Sequence, residues 1–411
     1  MSDYEIRQFV YEDDLDEVKR IWKEVGWVDD EHGAQQLDHF FSTGETLLAT
    51  VDGKPECSVH TVPADMQIHE SVISMLAVTA VTTSHLGRGR AFAQRLTAQQ
   101  LIRAQEEGCG LSVLGMFDQG FYDKLGFGTG GYEREFVIDP GTLTVPVPRR
   151  TAARLTVEDY EEMHECLVQR YRQHGSVSLH PAKVYRGDIG FGENAFGLGY
   201  RDDSGVLTHF VWLDPGETPA HGPYDLKFVA YREPEQLLEL FGLLRSLADQ
   251  IYSVSLIEPP DVQLQILLER PLRNADISRG SKHASNIRSL AWWQARILDL
   301  PICIAALAGA SDEFSFEADI ADPLADYGDG AGVTGSWRIQ LGSAASAERC
   351  EPGATGLPVM RASINAMTRL VLGVGAPSNL ALTDDLEGSH ELLRDLDTAL
   401  HVRSPVLGWD F

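Results

Sequence analysis

Ile73-Ser-Met-Leu-Ala-Val-Thr-Ala-Val81-Thr-Thr-Ser-His-Leu-Gly87-Arg-Gly-Arg-Ala91-Phe92 is the stretch that decides the fold. Ile73 to Val81 is a continuous apolar, β-branched run, which predicts a central strand. After a turn with two glycines, Phe92, Leu96, Leu101, Ile102 and Ala104 recur at helical spacing up to Gly108, a helix-ending residue. Leu111 to Phe117 is a second apolar run, so the order is strand, glycine turn, helix, strand, an α/β unit. Glycines between a strand end and a helix start let backbone N–H groups converge on an anion, and the helix dipole adds to the attraction. A pyrophosphate suits that turn. A Walker loop requires Gly-Lys-Ser/Thr, which is missing, and a dinucleotide fingerprint requires a third glycine where this chain has Phe92. A separate Gly330-x-Gly332-x-x-Gly335 runs into Ser336-Trp-Arg-Ile-Gln-Leu, a strand pattern, and reads as a hairpin.

Outward from this unit, Leu15, Val18, Ile21, Trp22 and Val25 predict an amphipathic helix near the start. Asp139-Pro-Gly-Thr-Leu-Thr-Val-Pro-Val-Pro-Arg-Arg carries prolines that block helix and central strand alike, and the pattern restarts at Leu155. Residues 155–163 echo residues 6–17, each a short strand running into an acidic helix start, which suggests a divergent duplication. A polar stretch from Arg279 to Asn286 precedes an apolar segment from Leu290 to Leu307. The expected domains are therefore 1–147, 148–288 and 289–411. In the second, the helical segment from Pro234 stands where the first has its glycine loop. It has an acidic start and no Gly-x-Gly, so no second cofactor site is expected.

The chain has 411 residues, with 34 Lys and Arg against 61 Asp and Glu, a net charge of −27 that repels phosphate backbones and favours cations. Nucleic acid is not an expected partner. Five scattered cysteines without a Cys-x-x-Cys pair argue against a disulfide framework and a cysteine-based metal site. No run reaches the roughly 18 apolar residues of a membrane span, and the start lacks the pattern of a secretion signal. A cytoplasmic location without membrane contact is expected.

The run Val81-x-Thr-x-His85-Leu-Gly87-Arg88-Gly89-x-Ala91 resembles the loop of GCN5-related N-acetyltransferases (GNAT), with Leu86 in the usual Arg or Gln place. Phe117-Asp-Gln-Gly-Phe-Tyr122-Asp-Lys-Leu-Gly-Phe-Gly128 resembles that family's tyrosine and Leu-Gly-Phe turn. The layout as a whole is similar to the Eis (enhanced intracellular survival) aminoglycoside acetyltransferases, with Trp409-Asp410-Phe411 fitting their aromatic-acidic-Phe ending. The resemblance implies tandem GNAT-like domains, the second degenerate, followed by a domain like sterol carrier proteins. It implies acetyl-CoA as cosubstrate, held by Thr79, Ala80, Val81, Gly87, Arg88, Gly89, Arg90, Ala91, Phe92, Phe117 and Asp118. It also implies a homohexamer, and a cationic small-molecule amine as acceptor, with aminoglycosides the model class. A protein lysine as acceptor, or a scaffold that binds CoA without catalysis, are the alternatives.

An amine attacks a thioester only when neutral, the oxyanion requires donors, and the departing thiolate requires a proton or a dipole. On the resemblance Tyr122 is the acid, backbone N–H of Ala80 or Val81 polarises the carbonyl, and the Phe411 carboxylate orients or deprotonates the amine beside Asp410. A free α-carboxylate is too acidic for efficient deprotonation unless burial raises its pKa or a water relays the proton. His60, in the alternating run Cys57-Ser-Val-His-Thr-Val, is either a core histidine or a base, and His85 belongs to the phosphate loop. Trp22, Trp27, Asp29 and Asp30 follow the first helical pattern, where an aromatic and acidic wall would hold ammonium groups; core packing and a solvated turn are the competing readings.

Overall fold

A computed structural model describes residues 4–216, 220–269 and 285–409. Three sheets organise them. The first contains β1 (Tyr4–Gln8), β2 (Glu45–Val51), β3 (Lys54–Ile68), β4 (Ser71–Thr83), β5 (Leu111–Gly115) and β6 (Gly128–Thr129). β1 to β4 are antiparallel neighbours, and β5 joins β4 in parallel because the helix α3 (Phe92–Glu106) crosses between them. Helices α1 (Tyr11–Glu24) and α2 (Glu31–Phe40) precede β2. The acidic first turn of α1 is anchored by Asp14, which accepts from Val10 N at 2.9 Å and pairs with Arg7. Asp30 caps α2 by accepting from Gly33 N at 2.7 Å. Phe92, Leu96 and Leu101 of α3 share a buried cluster with Leu47, Cys57, Val78, Leu114 and Tyr122.

The sheets do not follow the expected boundaries at 147/148 and 288/289. Glu133–Ile138 leaves the first segment and pairs with Val254–Ile257 and Asn286–Leu290 in the second sheet. Trp293–Ile297, beyond residue 288, inserts between β5 and β6, with Trp293 opposite Gly115 and Ile297 opposite Leu111. β5 would otherwise be an open edge with unpaired backbone groups; the inserted strand closes it. Its polar members are buried with it: Gln294 donates to Asp123 at 2.7 Å, and Arg296 pairs with Asp322 at 2.7 Å.

In the second sheet the strand Tyr224–Ala230, the helix Pro234–Ser246 and the parallel strand Val254–Ile257 repeat the β4–α3–β5 order. The helix begins at Glu233, Pro234 and Glu235, so carboxylates stand where the first unit has its glycines. The third sheet is built on Phe314–Ala321 and Gly335–Leu341, joined through Gly330 and Gly332 as the expected hairpin, and carries the helix Ile364–Val371. Cys57, Cys166 and Cys303 are buried, Cys109 and Cys350 partly so, and all are free thiols. Among the described residues no helix is long and apolar enough to cross a membrane, and no cluster of three His, Cys, Asp or Glu is arranged around a metal position.

Candidate active site

β4 and β5 pair only as far as Val78 and Leu114. β4 continues to Thr83 while β5 stops at Gly115, so the strands part and leave Thr79, Ala80 and Val81 without a partner on that side. On the other side the register against β3 shifts between His60 and Thr61, which pair with Ala80 and Val78 and leave Thr79 as the extra residue of a bulge. The bulge bends β4 away from β5. A cavity of about 280 Å³ opens there, lined by Val81, Thr82, Thr83, Gly87, Arg88, Gly89, Ala91, Phe92, Phe117 and Asp118 among others.

The loop between β4 and α3 is rigidly built. Ser84 donates its hydroxyl to the buried Glu56 carboxylate, its backbone N donates to Glu56 O at 2.9 Å, and Gly87 N donates to Ser84 Oγ at 3.1 Å. A Cβ on Gly87 would lie 2.6 Å from the Glu56 carbonyl oxygen, so only glycine fits. Gly89 and Ala91 have φ of +73° and +57°, which turns the chain into α3. Ala91 caps the helix without a side-chain hydrogen bond, and the first turn holds no acidic residue. The leading N–H groups of a four-turn helix are thereby presented to an anion next to Arg88. These residues fit the diphosphate end of acetyl-CoA. Arg90 lies outside the cavity lining and sits over the Phe92 ring at 5.9 Å.

Tyr122 opens a short 3-10 turn, Tyr122–Leu125, and is 2% exposed. Burial, with a smaller contribution from Cys57, pushes its phenol well above the ordinary tyrosine value, so it holds its proton at neutral pH. Phe121 meets it edge-on at 4.8 Å and itself lines the cavity.

His60 is fully buried between Phe40 and Phe41, with Nδ1 2.8 Å from Thr46 Oγ1 and Nε2 without a partner among the described residues. Burial lowers its pKa to about 3, so it stays neutral and packs in the core. His85 contacts Glu24 through its backbone N and its ring, tying the loop to α1. Trp27, expected on an acceptor wall, lines the 280 Å³ cavity instead: Gly26, at φ +75°, turns the chain after α1 and brings Trp27 edge-on to Phe117 at 6.0 Å. Trp22 is buried against Phe40 and Phe41, Asp30 serves as a cap, and Asp29 is exposed in the turn before it.

A second cavity, of about 420 Å³, was not foreseen. Glu133, Glu135, Asp225 and Glu258 line it with Tyr171, Tyr231, Trp292 and Trp409, against the cations Arg170 and Lys227. Both cavities meet the end of β5: Phe117 lines the first, and its neighbour Met116 donates to Trp292 O at 2.7 Å, beside the second. No local motif marks these residues, because distant segments of the chain contribute them. The final described residues also run along this cavity. Leu407 N donates to Glu133 at 2.8 Å, Val177 N donates to Leu407 O at 3.0 Å, and Arg170 donates to Gly408 O at 3.1 Å. Arg170 is buried at the cavity wall; its other hydrogen bonds go to Leu167 O, Val177 O and Ser178 Oγ. Burial lowers its pKa to about 9, and it still lies under the Trp409 ring at 5.3 Å as a cation. Asp410 and Phe411 lie outside the described residues.

Residues 5–130 match the family described as Acetyltransferase (GNAT) domain, and residues 304–408 match the Sterol carrier protein domain. A GCN5-related N-acetyltransferase from Anabaena variabilis has a similar fold over all of both chains, with a TM-score of 0.80 and 15% identity. A conserved protein from Enterococcus faecalis described as a probable N-acyltransferase gives 0.78 and 16%, also over all of both chains. Eis1 from Mycobacterium abscessus gives 0.75 and 16%, again over both full lengths. These similarities show the fold. No match was found among curated protein sequences.

Proposed function

We propose acetyl transfer from acetyl-CoA to an amine of a cationic small molecule, for a chain whose residues 5–130 match the acetyltransferase (GNAT) domain and whose residues 304–408 match the sterol carrier protein domain. The observation that carries this reading is the parting of β4 from β5 beyond Val78 and Leu114, directly before a glycine loop that ends at an uncapped helix. Acetyl-CoA supplies the activated acetyl group as a thioester. N–H groups at the start of α3 and the Arg88 side chain hold its diphosphate. Backbone groups of Thr79, Ala80 and Val81, unpaired with β5, take the pantetheine amide and polarise the acetyl carbonyl. Tyr122, kept protonated by burial, offers its proton to the sulfur as the thiolate departs.

The acceptor enters from the second cavity. Among the described residues Glu133 and Asp225 add carboxylates to its lining beyond Glu135 and Glu258, which pair with Arg288 and Arg134, and its aromatic rings add faces for ammonium groups. An aminoglycoside or a polyamine suits that lining. Asp410 and Phe411, next in the sequence after Trp409 of the cavity lining, are assigned on the resemblance to orient the amine and accept its proton. Homohexamer assembly is proposed alongside, with light scattering as its check. The function is tested by thiol release from acetyl-CoA with a panel of amines. Turnover with multiply charged amines that falls as salt rises supports it; the same rate for neutral hydroxylated analogues would remove the acceptor assignment.

A further inference from the structure

The turn that carries Tyr122 is held mainly by residues that come much later in the chain. Asn365, in the third domain's helix Ile364–Val371, donates from Nδ2 to Asp123 O at 3.0 Å and to Phe127 O at 2.7 Å. Arg296 donates to Leu125 O, and its guanidinium is anchored at 2.7 Å on Asp322 in the third domain, with both side chains fully buried. The helix also presses on the turn directly. A Cβ on Gly126 would lie 2.6 Å from Ile364 Cγ2, and one on Gly128 would lie 2.5 Å from Asn365 O. The glycines of Leu125-Gly-Phe-Gly128 are thus a docking surface for a helix of another domain.

We infer that Asn365, together with the Arg296–Asp322 pair, is a positioning residue for Tyr122, so that the third domain fixes the turn that carries the Tyr122 hydroxyl. This rests on the proposed role of Tyr122 as the acid. Three carbonyls at successive points of the turn, Asp123, Leu125 and Phe127, are each met by a donor from this clamp. A short 3-10 turn has few internal hydrogen bonds of its own, so these external donors set its register. A displacement of about 1 Å at a reacting group costs about a hundredfold in rate, whereas a cofactor-binding loop elsewhere on the sheet is untouched.

Asn365→Ala in the full chain tests this, with Tyr122→Phe and the third-domain core variant Leu393→Ala as comparators. The expected result is a kcat lower by about tenfold or more and an acetyl-CoA KM within about twofold of wild type. Asn365→Gln, which keeps the amide donor, should recover part of the rate. Leu393→Ala should lower the melting temperature with kcat retained. Wild-type kcat in Asn365→Ala, with Tyr122→Phe inactive, would overturn the inference and leave the function standing. An equal loss of kcat in Leu393→Ala at matched melting temperature would also overturn it, since global stability would then explain the loss. Full activity in Tyr122→Phe would sink the acid assignment itself.

Discussion

Val78 and Leu114 form the last rung between β4 and β5. Everything assigned to the cofactor follows from where that pairing ends. Beyond it, β4 is bent by the bulge at Thr79 and delivers the glycine loop to the start of α3.

The loop has one position that tolerates no side chain. Gly87→Ala places a Cβ against the Glu56 carbonyl at 2.6 Å and Thr83 Cγ2 at 2.9 Å, and backbone cannot yield as a flexible side chain does. Acetyl-CoA should bind at least about tenfold more weakly by calorimetry, an effect of about 1.4 kcal/mol or more. Gly89→Ala meets nothing within 4 Å and carries only the strain of its φ of +73°, so its loss should be smaller. Equal affinities for wild type and Gly87→Ala would contradict the loop's role.

Tyr122→Phe removes one hydroxyl from a buried ring and keeps its packing against Phe121 and Phe127. A lost general acid costs about a hundredfold to ten-thousandfold in rate. The loss should fall on kcat, with the acetyl-CoA KM little changed, as steady-state kinetics will show. A changed KM at constant kcat would assign Tyr122 to binding.

His60 gives the fold a dependence on pH that has no catalytic origin. With its pKa lowered to about 3 in the native state and near its usual 6.5 when unfolded, the unfolded chain binds more protons between those values. The contribution is complete above pH 6.5 and is lost as pH falls toward 3. From pH 7.5 to 5.5 one such group removes about 1.4 kcal/mol. Denaturant titrations should therefore show His60→Gln losing about 1.4 kcal/mol less than wild type over that interval. Identical losses would mean that His60 titrates normally.

Glu133 joins the cavity proposed for the acceptor to the end of the described chain. One carboxylate oxygen accepts from Trp292 Nε1 at 2.7 Å and the other from Leu407 N at 2.8 Å. Glu133→Gln turns one acceptor into a donor and removes a charge, and a lost hydrogen bond to a charged group costs about 1.5–3 kcal/mol. The amine KM should rise by about tenfold or more with the acetyl-CoA KM unchanged. A rise in both would place Glu133 in the general fold.

The glycine turn, α3 and the strands beside it were legible in the sequence because each signal is local: an apolar run, two glycines, a helical period. The hairpin at Gly330, Gly332 and Gly335 was legible for the same reason, since a strand pattern and no helix follows it. The strand Trp293–Ile297 was not, because its burial between β5 and β6 depends on partners far away, with Asp123 and Asp322 meeting its buried Gln294 and Arg296. Trp27 was assigned by its position after α1; its contact with Phe117 is set by a turn at Gly26 and by the end of β5, which no spacing links. The second cavity needs Glu133 and Asp225 from two strands of the second sheet and Glu258 and Trp292 from the segments that follow two others, an encounter that only the topology reveals.

The most direct measurement is thiol release from acetyl-CoA by the wild-type chain and Tyr122→Phe, with spermidine and an aminoglycoside as acceptors and direct acetyl-CoA binding measured in parallel. The account predicts amine-dependent release by the wild type, its near loss in Tyr122→Phe, and equal acetyl-CoA affinity in both. A wild-type chain that neither binds acetyl-CoA nor releases thiol with either amine would contradict it.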